Sequence, residues 1–198
     1  MEKLDIRISS EFWNKVKELA GRPLQVMVSS NEVAMTSFLI AGGFVCKRKC
    51  YEIDACICDF VGSTENLELY CCSVGDQEYE YCCNLIYRHY VNTHEGINPW
   101  TADYMTFCSE LPKNVLYSKN DNSISSIAFI EHNEIAYAYG EEEKCFSKFA
   151  QTLISSMFEK YDRICFECDD CDWAAITLKN LFINQDDTSF CTYILADK

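Results

Sequence analysis

Residues 124–182 constrain this chain more than any other stretch. Residues 124–131 read as a strand, His132-Asn133 as a tight two-residue turn and 134–139 as the returning strand. Phe146, Phe149, Ala150, Leu153, Ile154, Met157, Phe158 and Tyr161 follow at i, i+3, i+4, i+7, i+8, i+11, i+12 and i+15. That is one apolar stripe of a helix, and it must lie on a sheet. Residues 163–168 read as the next strand, and Ala174, Leu178, Leu181 and Phe182 share one face of a second helix. Hairpin, helix, strand and helix in this order predict an α/β architecture, and function is to be sought in this stretch.

The remaining residues supply the other elements. Residues 4–8 read as a short strand, and Ser9 or Ser10 caps a helix over 11–20 that Gly21 stops. Pro23 opens a strand over 24–28. Ser29 with Glu32 three positions on predicts a capping box for a helix over 31–41. Gly42-Gly43 ends that helix, and 44–53 form another strand. Polarity rises over 54–66, where Gly62, Ser63 and Thr64 break the pattern, so the chain divides there. Two parts are expected, residues 1–58 and 59–198. The second holds a strand over 67–73, a helix over 77–91, a break over 93–99, a helix over 101–110 and strands over 115–118 and 191–195. A weak repeat is visible: Asn31, Ala34, Phe38 and Gly42 share the offsets 0, 3, 7 and 11 with Cys171, Ala174, Leu178 and Phe182. It reads either as two strand-helix-strand copies or as two halves of a tandem domain.

Charge narrows the function classes. The net charge is −14, and residues 59–198 carry 9 Lys/Arg against 24 Asp/Glu. Such a surface repels nucleic-acid backbones and anionic membranes, so neither is expected as a partner, while cationic amines suit it. No apolar run is long enough to span a membrane, and the charged amino terminus lacks a secretory h-region, so a cytoplasmic location is expected. The 14 cysteines then read as reduced, mostly structural thiols behaving as small hydrophobes.

Residues 23–52, PLQVMVSSNEVAMTSFLIAGGFVCKRKCYE, resemble the closing part of a GNAT-superfamily acetyltransferase, in which an Asn, a small residue and an aromatic precede a Gly-Phe that opens a strand. Residues 67–195 resemble the domain again, from first strand to last. The resemblance implies an α/β fold with a GNAT-like mixed central sheet flanked by helices, preceded by a shorter GNAT-like half unit. It implies acetyl-CoA as co-substrate, and an acetyl group moved to an amine of a small molecule or peptide. Amides of Tyr137, Ala138 and Tyr139 would polarise the thioester. Lys144, Ser147, Lys148, Phe149 and Ala150, at a helix start over 144–150, would cradle the pyrophosphate. The chain departs from the family there. Of the family's Arg/Gln-x-x-Gly-x-Gly/Ala only Ala150 matches, Glu141, Glu142 and Glu143 stand just before, and the family's proton-donating Tyr falls on Leu178 and Phe38. A second reading follows, a GNAT-like ligand-binding or interaction module that has lost catalysis.

Glu134 and His94 are the candidate general bases, the first opening the returning strand, the second in a loop between helices. Cys165, Cys168 and Cys171 form a C-x2-C-x2-C run, but the first two point to opposite strand faces, so no metal is expected. The pattern leaves a homodimer open.

Overall fold

The computed structural model describes residues 10–63 and 67–195, so the strand expected over 4–8 lies outside the described residues. In chain order the elements are α1 (Ser10–Ala20), β1 (Leu24–Ser29), α2 (Val33–Ala41), β2 (Val45–Cys56), a 3-10 turn (Ile57–Asp59) and β3 (Tyr70–Ser73). They continue as α3 (Gln77–His94), α4 (Tyr104–Ser109), β4 (Asn114–Asn120), β5 (Ser123–Glu131), β6 (Glu134–Gly140), α5 (Glu143–Phe158), β7 (Arg163–Asp169), α6 (Trp173–Lys179) and β8 (Phe190–Leu195). The chain forms two compact units, Met1–Cys50 with Thr188–Lys198, and Tyr51–Asp187.

In the first unit the strands run β1-β8-β2, all antiparallel. Leu39, Phe44, Cys191, Tyr193 and Leu195 form its core with Trp13 against them. Trp13 stands edge-on to Phe44 at 5.3 Å and would lie 2.7 Å from a Cβ at residue 42, so α2 ends on a glycine for want of space. The capping box expected from Ser29 and Glu32 does not form. Ser29 is held in the β1 ladder opposite Phe190, and Glu32 precedes α2 without a side-chain cap.

In the second unit the order is β2-β7-β6-β5-β4-β3, a mixed sheet with β6 parallel to β7 and antiparallel pairs from β6 to β3. Helices cover both faces. Phe146, Phe149, Leu153, Ile154, Ala174 and Leu178 of α5 and α6 pack with Ala128, Ile135, Ile164 and Phe166. Cys82, Ile86 and Phe107 of α3 and α4 pack with Val115, Ile127 and Phe129. β5 is buried continuously from Ile124 to Phe129, Ala128 in one core and Ile127 and Phe129 in the other, which is why it reads as an unbroken apolar run. Asp121 and Asn122, both at positive φ (49° and 70°), close the β4–β5 hairpin with the backbone of a type I′ turn. His132 at φ 55° begins the β5–β6 turn.

Among the described residues no helix is long and apolar enough to cross a membrane. None of the 14 cysteines is in a disulfide. Burial pushes the thiol of Cys72 up to about 11 and those of Cys83 and Cys168 up to about 12, so these stay protonated and inert.

Gly140, the last residue of β6, carries the first helix of the carboxy-terminal half. A Cβ there would lie 2.5 Å from the Phe146 Cβ, which is held by the helix backbone and cannot step aside. Gly140→Ala is therefore expected to destabilise the protein by about 1–3 kcal/mol, read as a lower urea midpoint at an unchanged m-value. Gly96→Ala, with nothing within 4 Å of the added Cβ, is expected to stay within about 0.5 kcal/mol.

Candidate active site where two parallel strands stop pairing

β6 and β7 are neighbours, yet their ladder is registered at one pair, Glu134 with Cys165, at the amino-terminal ends of both strands. There the Cys165 amide donates to the Asn133 carbonyl at 3.1 Å, and Asn133 Nδ2 donates to the Arg163 carbonyl at 3.2 Å. Beyond it no further pair is registered, and the carboxy-terminal ends lead separately into α5 and α6. A β-bulge accompanies this opening: Ile130 faces Ile135 and Phe129 faces Tyr137, so Ala136 is the extra residue. A bulge bends its strand and increases the twist, turning β6 off the line of β7. It also shifts the backbone phase. The Glu141 amide donates to the Ser125 carbonyl of β5 at 2.8 Å. Alternation then sends the Tyr137 and Tyr139 amides to β5 and aims those of Ala138 and Gly140 into the opening.

Two helix starts flank the opening. Glu142 is the extended residue before α5, and the Phe146 amide makes a helical bond to its carbonyl at 2.9 Å. The amides of Glu143, Lys144 and Cys145 thus precede the helical ladder and have no acceptor within it. At α6, Asp172 is the cap, its Oδ1 accepting from the Ala174 amide at 2.9 Å. Phe146 and Trp173 meet edge-on at 5.5 Å, one from each helix.

The last turns of α3 reach the same end of the strands. His89 Nε2 lies 2.9 Å from Asp172 Oδ2, and its ring stands edge-on to Tyr139 at 5.4 Å. His89 therefore touches both sides of the opening. One turn on, His94 Nε2 lies 3.0 Å from Asp169 Oδ2, the last residue of β7. The His94 ring stacks on Tyr90 at 4.0 Å with planes 8° apart. Both imidazoles are buried. A buried imidazole held by a carboxylate is the arrangement that moves protons in many active sites. Burial raises the phenols of Tyr137 and Tyr139, the latter also under the Glu141 charge, so both keep their protons through the neutral range.

The expected site residues fall into separate groups. His94 stands at the open end, but as the last residue of α3 rather than in a loop, because the helix continues past residue 91. Glu134 is exposed at the closed end, opposite Cys165, and is not brought near His94's end of the strands. Of the three expected strand amides only that of Ala138 faces the opening; those of Tyr137 and Tyr139 are turned to β5. The helix start expected over 144–150 lies at 142–145 instead. Lys144 and Lys148 are exposed and Ser147 half-buried on α5, whereas Phe149 and Ala150 are fully buried in the core and cannot touch a bound molecule. His89, Asp169 and Asp172 carry no local sequence signal of a site, since their partners lie 83 and 75 positions away.

No protein-family model matches this chain, and a search of curated proteins finds no match. Solved structures do resemble it. A GCN5-related N-acetyltransferase from Sphaerobacter thermophilus aligns with 93% of this chain at a TM-score of 0.60 and 8% identity. One from Kribbella flavida aligns with 95% at a TM-score of 0.53 and 10% identity. The chain spans 64% of the first of those proteins and 74% of the second. At such identities the likeness shows the fold: this chain has the α/β fold of the GNAT superfamily, a mixed sheet flanked by helices.

Asp172 joins two jobs, capping α6 and holding His89. Asp172→Ala ends both and is expected to cost about 2–4 kcal/mol. Asp172→Asn, which still offers an acceptor to the cap, is expected to cost about 1 kcal/mol. Urea unfolding of the two variants checks the difference.

Proposed function

We propose that this chain is an acyl-CoA-dependent N-acetyltransferase that moves an acetyl group from acetyl-CoA to an amine of a small molecule or peptide. The observation that carries the reading is the opening between β6 and β7, with the bulge at Ala136 aiming two backbone amides into it. Preorganised amides at the place where an oxyanion develops lower the barrier to acyl transfer, by about 2.7–4 kcal/mol for one such donor. The acceptor nitrogen attacks the thioester carbonyl, the oxyanion takes the Ala138 and Gly140 N–H groups, and the C–S bond breaks. The ammonium proton passes to His89, held by Asp172. The departing thiolate has an ordinary pKa of about 8.5 and needs no dedicated acid, which accommodates Leu178 where the family has a tyrosine.

Charge supports a cationic acceptor. Asp170 and Glu141, Glu142 and Glu143 are exposed, and Asp169 and Asp172 sit at the end of β7. The same carboxylates favour the second reading, a GNAT-like binding module without catalysis, because a diphosphate at the start of α5 would meet Glu142 and Glu143.

Titration calorimetry with acetyl-CoA separates the two: heat at micromolar ligand supports the enzyme, and silence at millimolar ligand supports the module. Ala138→Pro deletes one N–H that faces away from β5. It is expected to lower kcat/KM about 10²–10³-fold. His89→Gln is expected to lower kcat by about 10²-fold or more, and Glu134→Gln, at the closed end, by less than about threefold. Equal losses in the last two variants would remove His89 from the proton's path.

A further inference from the structure

One side-chain cluster at the end of β7 adds a thiol to the His94–Asp169 pair, and acyl transfer has no use for it. A ring nitrogen of His94, an Asp169 carboxylate oxygen and Cys171 Sγ all lie within 4.8 Å of one another, and Nε2 is the nitrogen facing Asp169. They combine an imidazole, a carboxylate and a thiol, the three side-chain chemistries that zinc accepts together. We infer that His94, Asp169 and Cys171 bind one divalent transition-metal ion of the zinc type, with its fourth position open.

The orientation of His94 argues for this independently of the ligand distances. Its Nδ1 lies 3.1 Å from the Tyr90 carbonyl and 2.8 Å from Thr93 Oγ1. A carbonyl can only accept, so this contact favours the tautomer with its hydrogen on Nδ1. Thr93 Oγ1 gives its own hydrogen to the carbonyls of His89 or Tyr90, at 3.0 and 3.2 Å, and so accepts from Nδ1 as well. Stacking on Tyr90 fixes the ring plane. A metal-bound histidine is held in this way, its far nitrogen donating to a backbone or hydroxyl oxygen and its near nitrogen presented to the ion.

The local backbone supplies the other two ligands. Asp169 ends β7, and the Asp172 amide donates to the Asp169 carbonyl at 3.0 Å, a tight turn that returns Cys171 to the side of Asp169. Zinc bond lengths place tetrahedral ligand atoms about 3.3–3.6 Å apart, so a small inward movement of side chains closes the site. Only Cys171 of the C-x2-C-x2-C run takes part. Cys168 is fully buried in the core beneath α5 and α6, and Cys165 lies at the closed end beside Asn133. On binding, the Cys171 thiol and the Nε2–Asp169 hydrogen bond each give up a proton to solvent, and S–M, N–M and O–M bonds replace them. Thiolate and carboxylate together balance the dication. The ion would clip the last turn of α3 to the β7–α6 turn.

The test is titration of the chelator-treated full-length chain with Co(II), followed by absorbance, with no acyl donor present. One equivalent is expected to give thiolate-to-metal and visible bands, which Zn(II) then displaces. Zn(II) at 100 times its dissociation constant is expected to raise the melting temperature by about 5–10 °C. Cys171→Ser and His94→Gln should each lose the bands, with Cys171→Ser remaining informative if His94→Gln does not fold. Cys168→Ser and Cys58→Ser should retain them; the latter controls for the Cys56, Cys58 and Asp59 group, the other cluster of similar spacing among the described residues. No bands at millimolar Co(II), retention in Cys171→Ser, or loss in Cys58→Ser each overturns the assignment. The readout involves no acetyl transfer, so it fails or succeeds separately from the enzyme reading.

Discussion

Phe146 resting on the bare backbone of Gly140 is the contact on which the open end of the strands depends. With no room for a Cβ at residue 140, the ring brings the first turn of α5 directly over the end of β6. Its other edge meets Trp173, so one buried aromatic sets the spacing between the starts of α5 and α6. Aromatic pairs of this kind add about 0.5–1.5 kcal/mol to the area they bury. The third wall comes from α3, whose two histidines are bonded to Asp172 and Asp169 across the strand ends. An aromatic on one face of the sheet and two His–Asp pairs from the other thus hold one gap at three points.

The elements that frame this gap were legible because each announces itself locally. α5 shows seven of the apolar positions at helical spacing, and the structure buries six of them. β5 shows an unbroken apolar run because both its faces are covered. The devices that make the gap were not legible. Ile135-Ala136-Tyr137 reads as ordinary strand, and nothing in those three residues says that Ala136 is extra; the partner strand decides it. Thr93 and His94 look like loop residues, yet the Thr93 hydroxyl and the His94 ring bond back to carbonyls of the preceding turn and prolong α3. Ser29 and Glu32 match a capping box in spacing, but the Ser29 hydroxyl accepts from the Asn31 amide at 3.3 Å and the Glu32 amide bonds to the Ser29 carbonyl at 3.0 Å. α5 starts at Glu143 and not in the 144–150 stretch, because this chain lacks the glycine motif that would mark a start there. The carboxylates at 141–143 mark the true start better, since acids gather where helix amides are exposed.

That same acidity weighs differently on the two partners of the proposed reaction. Against a diphosphate at the start of α5, each neighbouring carboxylate costs on the order of 1 kcal/mol in a partly solvated setting. The helix dipole and its leading amides return about 0.3–1 kcal/mol for each anionic charge they meet. Lys144 and Lys148 stand on the exposed side of α5 and offset part of the remainder. For a donor molecule the balance near the phosphates is then close to zero or unfavourable. Under the proposed reaction its recognition would fall to the acyl carbonyl on the strand amides and to the uncharged chain behind it. For an ammonium acceptor, or a divalent ion at Asp169, every one of these carboxylates acts in the favourable direction. The strand amides need no such balance, because a neutral carbonyl meets them without desolvating a charge, and they strengthen only as the oxyanion forms. Geometry and charge are thus divided along the gap, with β6 suited to the transition state and the ends of β7 and α3 suited to a cation.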